Sequence, residues 1–460
     1  MGAAAAIEEA MVRAIAESER SIVAIARTSS QNEPSRDVRA EIFPQFGQPA
    51  GAQFENRAQD PTSPDFIPNE YATGVIIDAQ GLVLTNAHVI TPGSDFYITT
   101  IDRKVYRAEV KAADARSDLA VLRVIDDTAG SKFTPIKFGN AKKLRKGQIV
   151  IALGNPYAIA RDGQPSACWG IISNLGRKLG PKPPAPDRET LHHFGTLIQT
   201  DAKLNLGTSG GALLNLKGEM VGLTTSLAAT SGYEQAAGYA IPIDDAFLRI
   251  IDMLKQGREV SYGFLGIEPI NLRQEESLQG LVGMRVKDVS PGTPARHAGL
   301  QPFDIITHVN GEPIYDAAGL RLSIGRLPPG SVASLAIERA GQRFVRPVSL
   351  SKGPNPGEKI VTDHGTSWRG LRVDSPTSFF PRLTLTDDLD DSAVAVTEVA
   401  EGSPAYRANL HRGMIITHVG STPVHGPDDF YRQVASRDDE VSLWVSLAPG
   451  HTQSITVPAE

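Results

Sequence analysis

Three residues that could together carry out acyl transfer stand at the edges of apolar segments of the chain: His88, Asp118 and Ser209. A serine hydroxyl is a weak nucleophile and needs a general base within hydrogen-bonding distance, a role that histidine can fill. A carboxylate can fix the tautomer of that histidine. Taken singly, each residue is more often a cap, turn or core-edge residue. The chain order His, Asp, Ser in a β-rich segment is that of the chymotrypsin-type triad, and it predicts such a triad here.

The glycines around the serine, in the segment Gly207-Thr208-Ser209-Gly210-Gly211, predict a tight loop. Glycine adopts left-handed backbone conformations and lets the chain approach other atoms closely. The backbone N–H groups of Gly207 and Ser209, with Thr208 shaping the loop, are therefore candidates for an oxyanion hole. Such a site binds the negative charge that develops in the transition state.

Short apolar segments separated by turn signals must position these residues. Residues 75–78 and 82–85 read as a hairpin that ends just before His88. From about residue 70 to residue 242 the same alternation continues, which is typical of an all-β double barrel. Helices are expected over 5–20 and 243–256, where apolar residues recur at helical spacing.

Three segments of this chain, T-N-A-H-V, S-D-L-A-V-L and G-T-S-G-G-A-L-L-N, resemble the signatures of the HtrA/Deg family of trypsin-fold serine proteases. The similarity spans roughly residues 5–460. It implies a mainly β fold, with a chymotrypsin-like double β-barrel followed by two PDZ-like α+β domains. It also implies an ATP-independent endopeptidase that cleaves misfolded or extended polypeptides through an acyl-enzyme and needs no cofactor.

The loop departs from the family pattern at two positions. Leu206 replaces a common proline and Thr208 a common asparagine. Because proline locks φ, its loss predicts a more mobile loop. An inactive resting state and a switch of activity within residues 207–211 are therefore expected.

The specificity pocket is expected just before and after the serine loop. A lysine facing the pocket would favour acidic side chains of the substrate. A lysine pointing outward would leave a small-to-medium apolar pocket, which is favoured because a buried unpaired lysine is costly. The candidate lining residues are Lys203, Leu204, Thr224, Thr225 and Ser226.

The C-terminal half contains two weakly similar units in tandem, which indicates an internal duplication. The pattern resembles PDZ domains, whose Φ-Gly-Φ loop offers N–H groups to a peptide carboxylate while the adjacent strand edge takes the peptide as an added strand. The candidate loop residues are Phe264, Leu265, Gly266 and Ile267 in the first unit and Arg369, Gly370 and Leu371 in the second. Arg369 could assist an anionic terminus, but a solvated side chain is favoured. The expected domains are 1–257 (protease), 258–352 (PDZ 1), 353–365 (linker) and 366–460 (PDZ 2).

Composition sets the remaining expectations. The chain has 460 residues, a net charge of −6 and one cysteine, so it offers no basic stripe for nucleic acid and no internal disulfide. Cys168 is expected to be a small core residue. The adjacent His192 and His193 lack further ligands at a useful spacing, so no metal site is expected.

Compartment and assembly follow from the resemblance alone. The family works in the periplasm or another extracytoplasmic space, although the given N-terminus does not read as a signal peptide and no membrane span is expected. A homo-oligomer, a trimer or its multiples, is implied, with the polar insert 28–70 as a regulatory or assembly loop. Two alternatives stay open: a catalytically silent PDZ-containing chaperone or scaffold, and a dedicated regulatory protease with one partner substrate.

Overall fold

The computed structural model describes residues 2–29, 70–125, 132–155, 163–178, 190–204, 207–225, 237–355, 357, 359–381, 393–448 and 451–459. Three of the features expected above lie outside these residues. They are most of the insert 28–70, Leu206 and Ser226.

Six antiparallel strands close into a first barrel, in the order β5-β4-β1-β2-β3-β6 with β5 also paired to β6. The strands are β1 (Ile22–Ser29), β2 (Glu70–Ile76), β3 (Leu82–Thr85), β4 (Ser94–Thr99), β5 (Val105–Asp114) and β6 (Leu119–Ile125). The predicted hairpin is confirmed, because Val75 pairs with Leu84. Buried β-branched, leucine and phenylalanine side chains such as Val83, Phe96 and Leu122 fill the interior.

A second barrel follows, in the order β11-β8-β9-β10-β13-β12 with β11 also paired to β12. Its strands are β8 (Ile149–Gly154), β9 (Ser166–Arg177), β10 (Leu197–Thr200), β11 (Ala212–Leu214), β12 (Glu219–Thr225) and β13 (Gly238–Pro242). The short strand β7 (Lys137–Phe138) runs parallel to β12. The predicted double β-barrel is thereby confirmed.

Two further sheets share one topology, as the internal duplication predicts. The first has the order β15-β16-β17-β19-β20 with β18 on β17, and the second β23-β24-β25-β27-β28 with β26 on β25. The first sheet comprises β15 (Ile267–Asn271), β16 (Met284–Val289), β17 (Ile305–Val309), β18 (Glu312–Pro313), β19 (Val332–Arg339) and β20 (Gln342–Ser349). The second comprises β23 (Leu371–Asp374), β24 (Val394–Val399), β25 (Ile415–Val419), β26 (Thr422–Pro423), β27 (Val441–Ala448) and β28 (His451–Val457). A separate two-stranded sheet pairs β14 (Gly263–Phe264) with β21 (Ser351–Lys352). In the chain, β14 comes before the strands of the first of these sheets and β21 comes after them.

The α-helices of the described residues are Ala3–Ser18, Asp245–Lys255, Gln274–Leu278, Pro294–His297, Ala317–Gly325, Pro404–Arg407 and Pro427–Val434. The 3₁₀ helices are Glu19–Ser21, Ala87–Val89, Ala141–Lys143, Leu191–Phe194 and Pro376–Phe379. Within the described part of the chain, no helix is both long and apolar enough to cross a membrane.

The two predicted helices are both present, but only one buries the expected face. In Asp245–Lys255 the apolar residues at helical spacing, Phe247, Ile250, Ile251 and Leu254, are buried, and the Asp244 carboxylate caps the N-terminus of the helix. In Ala3–Ser18 the apolar Ile7 is exposed, and the buried residues are Ala14 and Ser18. The Ser18 hydroxyl donates to the Gly218 carbonyl, so this helix packs through its C-terminal half.

The stretch expected to be an interdomain linker contributes a strand. Contact density divides the chain into two compact units, and residues 358–363 belong with the unit that contains both barrels. In that segment β22 (Ile360–Val361) pairs antiparallel with β5. The Thr362 hydroxyl also donates to the Lys111 carbonyl.

Candidate active site

His88 and Asp118 form a direct pair at the edge of the first barrel. The Nδ1 atom of His88 lies 2.9 Å from Oδ1 of Asp118 and 3.1 Å from Oδ2. Because a carboxylate can only accept, Nδ1 carries the hydrogen, which leaves Nε2 as the basic nitrogen. The backbone N–H of His88 also donates to Oδ1 of Asp118. The imidazole is 33% exposed and the carboxylate only 4%, so the pair has a buried acceptor and an accessible base.

The Asp118 carboxylate is held by neighbouring polar groups. The Asn86 side-chain amide donates to its Oδ2 and to its backbone carbonyl, and the Thr225 hydroxyl donates to Oδ2 at 3.3 Å. Asp118 itself has φ of 54°, an uncommon conformation for a residue with a side chain. Thr225 therefore contacts the carboxylate, whereas it was expected to line the substrate pocket.

His192 lies beneath this site. It is completely buried, and its ring stacks on Phe247. Its Nε2 lies 3.0 Å from the carbonyl of Ser117 and its Nδ1 lies 2.5 Å from the Thr196 hydroxyl. Burial lowers the pKa of His192 to about 4. The His192-His193 pair, considered in the sequence only as a metal ligand, thus includes a neutral structural imidazole.

The serine loop is tight for the reason the sequence indicated. Gly207 and Gly210 have φ of 88° and 84°. A Cβ on Gly210 would lie 2.0 Å from the carbonyl oxygen of Thr73, so only glycine fits there. The Thr224 hydroxyl donates to the Thr208 carbonyl at 2.5 Å.

A pocket of about 220 Å³ opens beside this loop. It is lined by Ala152, Leu153, Gly154, Ser166, Ala167, Cys168, Lys203, Leu204, Thr208 and Thr224. Lys203, Leu204 and Thr224 were expected there. Lys203 is an exposed residue, consistent with the interpretation that its charge does not define the pocket.

Cys168 is a correction to the sequence interpretation. It packs against the core of the second barrel but is only half-buried and also forms part of the pocket wall, and its thiol donates to the Lys203 carbonyl at 3.0 Å. Desolvation by burial raises the pKa of this thiol. Ser166, Ala167 and Cys168 of β9 all line the pocket, and the next residue, Trp169, is exposed, so the apolar residues of this segment did not indicate a buried strand.

The loop of the first PDZ-like unit has the expected form. Gly266 has φ of 86°, and a Cβ there would lie 2.2 Å from the Thr293 side chain. Ile267 pairs with Val289, and the adjoining ladder bond runs from the Ser290 N–H to the Gly266 carbonyl. In such a pair the N–H of Ile267 points away from β16, toward the outer edge of this sheet.

The loop of the second unit is arranged differently. The N–H of Leu371 donates to the Trp368 carbonyl at 2.8 Å, which closes a turn across Arg369 and Gly370. Both turn residues have positive φ. The N–H of Val373 on the same strand donates to the Tyr431 hydroxyl at 3.0 Å. The two N–H groups that an added peptide strand would use are thus already bonded within the unit.

Arg369 is buried within the second unit, so the favoured interpretation of it as a solvated side chain is wrong. The residue is 7% exposed. Its guanidinium donates to five backbone carbonyls and stacks on Trp368. The carbonyls belong to Val457, Pro458, Arg437, Asp438 and Asp439. The corresponding residue of the first unit, Leu265, packs in an apolar core, so Arg369 is a structural substitute for it.

Comparison with known proteins agrees with this architecture. Residues 72–223 match the trypsin-like peptidase domain and residues 263–345 the PDZ domain. The chain is 32% identical over 432 residues to a probable periplasmic serine endoprotease DegP-like of Pseudomonas savastanoi, covering 92% of this chain and 84% of the relative. The chain belongs to the HtrA family of DegP-like serine endoproteases.

Other HtrA proteins extend the match. The periplasmic pH-dependent serine endoprotease DegQ of Escherichia coli is 32% identical over 381 residues, covering 81% of this chain and 77% of the relative. A solved HtrA-type protease, AlgW with a tripeptide, superposes with a TM-score of 0.54 and 27% identity over 75% of this chain and 98% of its own. The chain is thus a chymotrypsin-like serine endopeptidase of the HtrA type with PDZ modules, and the silent scaffold is not favoured.

Sequence reasoning missed several residues that build this HtrA site. Asn86, His192 and Thr73, whose backbone N–H donates to the Ser209 carbonyl, were not assigned to it. Asn86 carried a signal, since it precedes His88 by two residues in the T-N-A-H-V motif. Thr73 and His192 carried none, because nothing local shows that they meet the site across the fold.

Proposed function

We propose that His88, Asp118 and Ser209 act as the catalytic triad of this endopeptidase. The observation that carries the proposal is the bond from His88 Nδ1 to the buried Asp118 carboxylate. It leaves Nε2 to take the proton from the Ser209 hydroxyl as Oγ attacks the scissile carbonyl. The N–H groups of Gly207 and Ser209 bind the oxyanion, and Thr208 shapes the loop between them. His88 then gives the proton to the leaving amine, and water hydrolyses the acyl-enzyme with His88 again as base.

The substrate is an extended or unfolded polypeptide. The pocket beside the serine loop is largely apolar in its lining, which suits an apolar side chain of the substrate. Leu204 and Thr224 belong to this lining, whereas Thr225 serves Asp118. An extended substrate suits both a cleft and a module that adds a strand.

We infer that peptide C-termini bind at the first PDZ module, on Leu265, Gly266 and Ile267, with Phe264 preceding the loop. The outward N–H of Ile267 and the outer edge of β15 support this assignment. Pro269 on the same strand lacks an N–H, so affinity rests mainly on the carboxylate loop.

The second module, with Arg369, Gly370 and Leu371, does not take a C-terminus in this way. The closed turn and the Tyr431 hydroxyl occupy the N–H groups that a peptide would need. A peptide that packed against N–H groups already bonded within the module would gain no hydrogen bonds from them. It would still lose conformational freedom on binding.

Organisation and compartment complete the proposal. The protease region is assigned to residues 1–257, the PDZ modules to 258–352 and 366–460, and the segment between them to 353–365, of which the C-terminal part adds β22 to the first barrel. Periplasmic location is proposed because the relative of Pseudomonas savastanoi is a probable periplasmic endoprotease. Homo-oligomeric assembly is proposed from the family resemblance.

The test is labelling with a serine-directed fluorophosphonate alongside casein digestion. The wild-type chain should be labelled and should degrade casein, and Ser209→Ala should do neither while keeping its melting temperature. Cleavage by Ser209→Ala at the wild-type rate would end the assignment. Light scattering on the same samples reports whether the chain forms trimers or multiples of trimers.

A further inference from the structure

Thr73 holds both ends of the segment that carries Ser209. Its Oγ1 donates to the carbonyl of Gly207 at 2.7 Å, and its backbone N–H donates to the carbonyl of Ser209 at 2.9 Å. Thr73 lies on β2 of the first barrel, whereas the segment it holds leads into β11 of the second. One residue therefore connects the first barrel to the two residues whose N–H groups form the proposed oxyanion hole.

The direction of the Thr73 hydroxyl is fixed by a third bond. The backbone N–H of Asn155 donates to Oγ1 at 2.9 Å. Because an amide N–H can only donate, Oγ1 is the acceptor there and its own hydrogen is directed to Gly207. The Thr85 hydroxyl donates to the Thr73 carbonyl at 2.8 Å, which ties the residue to the strand that leads to His88. Thr73, Thr85 and Asn155 are all buried, so water does not compete strongly with these bonds.

The bond to the Gly207 carbonyl matters because a glycine, without a side chain, has little conformational restraint of its own. The φ of Gly207, 88°, is one that glycine enters and leaves readily. The carbonyl and the following N–H of a trans peptide point in opposite directions. Holding the carbonyl therefore fixes the rotation of the peptide that joins Gly207 to Thr208, while the Thr224 hydroxyl does the same for the next peptide.

We propose that the Thr73 hydroxyl is a positioning residue for the oxyanion hole. It anchors the Gly207–Thr208 peptide, which lies between the Gly207 and Ser209 N–H groups, and so keeps the backbone that carries both of them in place at the developing oxyanion. The proposal rests on the assignment of Ser209 as nucleophile. Thr73 does not touch the reacting atoms, so its removal should weaken transition-state stabilisation without altering the base.

The test compares Thr73→Val, which keeps the shape and loses the hydroxyl, with Thr73→Ser, which keeps the hydroxyl, in the full chain. Since loss of an oxyanion donor costs roughly 100- to 1,000-fold in kcat, loosening one should cost about 10- to 100-fold. We expect that loss in Thr73→Val with KM within about twofold, and in Thr73→Ser a kcat within about threefold of wild type. The matched control is Thr307→Val, which removes a similar hydroxyl-to-carbonyl bond in the first PDZ sheet.

A second readout separates positioning from loss of stability. A peptidyl trifluoromethyl ketone forms a tetrahedral adduct whose oxygen occupies the oxyanion position, so its inhibition constant should rise in Thr73→Val by the same factor as kcat/KM falls. Unchanged inhibition and turnover in Thr73→Val would overturn the proposal. Equal losses in Thr73→Val and Thr73→Ser would show that packing and not the hydroxyl is responsible. If the wild-type chain fails to react with the fluorophosphonate, the nucleophile assignment fails instead.

Discussion

The Nε2 atom of His192 lies 3.0 Å from the carbonyl oxygen of Ser117, the residue before Asp118. A carbonyl only accepts, so Nε2 carries the hydrogen, and Nδ1 accepts from the Thr196 hydroxyl. The neutral form of His192 satisfies both neighbours. This bond also joins a segment that precedes β10 of the second barrel to the loop of the first barrel that presents Asp118.

The first prediction concerns stability and pH. Burial lowers the pKa of His192 from 6.5 to about 4, so as the pH falls the unfolded chain takes up this proton before the folded chain does. The contribution of neutral His192 to the free energy of unfolding is complete above pH 6.5 and is lost progressively as the pH falls to about 4. The loss should be about 3 kcal/mol in the free energy of unfolding of the barrel unit. Urea unfolding of wild type and His192→Gln at pH 7 and pH 4 measures it, and an equal pH dependence in both would contradict the prediction.

The second prediction concerns the support of Asp118. Thr225→Val removes the hydroxyl that donates to Oδ2 of Asp118 and leaves the carboxylate with one partner fewer. A less constrained carboxylate orients His88 less well, so kcat should fall about 10-fold, far less than the roughly 10,000-fold seen when the aspartate itself is changed. Steady-state kinetics on a peptide substrate measure the fall, with Thr225→Ser as the control that keeps the bond. A Thr225→Val enzyme with wild-type kcat would show that Asn86 alone suffices.

The third prediction distinguishes the two PDZ modules. Gly266 and Gly370 both have positive φ, and a Cβ on either would lie 2.2 Å from the facing Thr293 or Ser403 side chain. The two glycine-to-alanine variants therefore disturb equivalent loops. Gly266→Ala should abolish binding of a peptide with a free C-terminal carboxylate, and Gly370→Ala should leave it unchanged. Calorimetry on the full chain measures the stoichiometry, which should be one peptide per chain. Two peptides per chain would contradict the inference that the second module does not bind a C-terminus.

Tyr431 provides the complementary experiment on the second module. Tyr431→Ala removes the hydroxyl that occupies the Val373 N–H and the ring beside the strand. The turn at Trp368–Leu371 remains, so any new peptide binding should be weak, at least about 10-fold weaker than at the first module. Peptide binding to the double variant Gly266→Ala, Tyr431→Ala isolates this site.

The fourth prediction concerns the specificity pocket. Cys168 contributes to the wall of the pocket, so replacing it with the larger phenylalanine should reduce the space for the substrate side chain. Peptides with valine at the cleaved position should lose at least about 10-fold in kcat/KM relative to peptides with alanine. Cys168→Ser, which keeps the size, should preserve the ratio. An unchanged valine-to-alanine ratio in Cys168→Phe would remove Cys168 from the substrate pocket.

Much of this molecule could be read from local sequence. The hairpin before His88, the helix 245–255 and the repeated PDZ-like order depend on short-range periodicity and turn residues, which act within a few residues of each other. The Gly207–Gly211 loop was also readable, because glycines at that density have few other uses. The buried face of the helix Ala3–Ser18 could not be read from local sequence, because Gly218, which Ser18 contacts, lies far along the chain.

The sequence by itself determined the family and the two barrels, since those features depend on motif and order, and it predicted His88, Asp118 and Ser209 as the triad. Only the tertiary structure decided what supports them. Thr73, Thr225 and His192 meet the site across the two barrels, and Arg369 satisfies carbonyls from two distant segments. These contacts join residues far apart in the chain through buried or partly buried hydrogen bonds. A threonine or histidine that makes such a bond has the same local pattern as one that does not, so only its position in the folded chain reveals the bond.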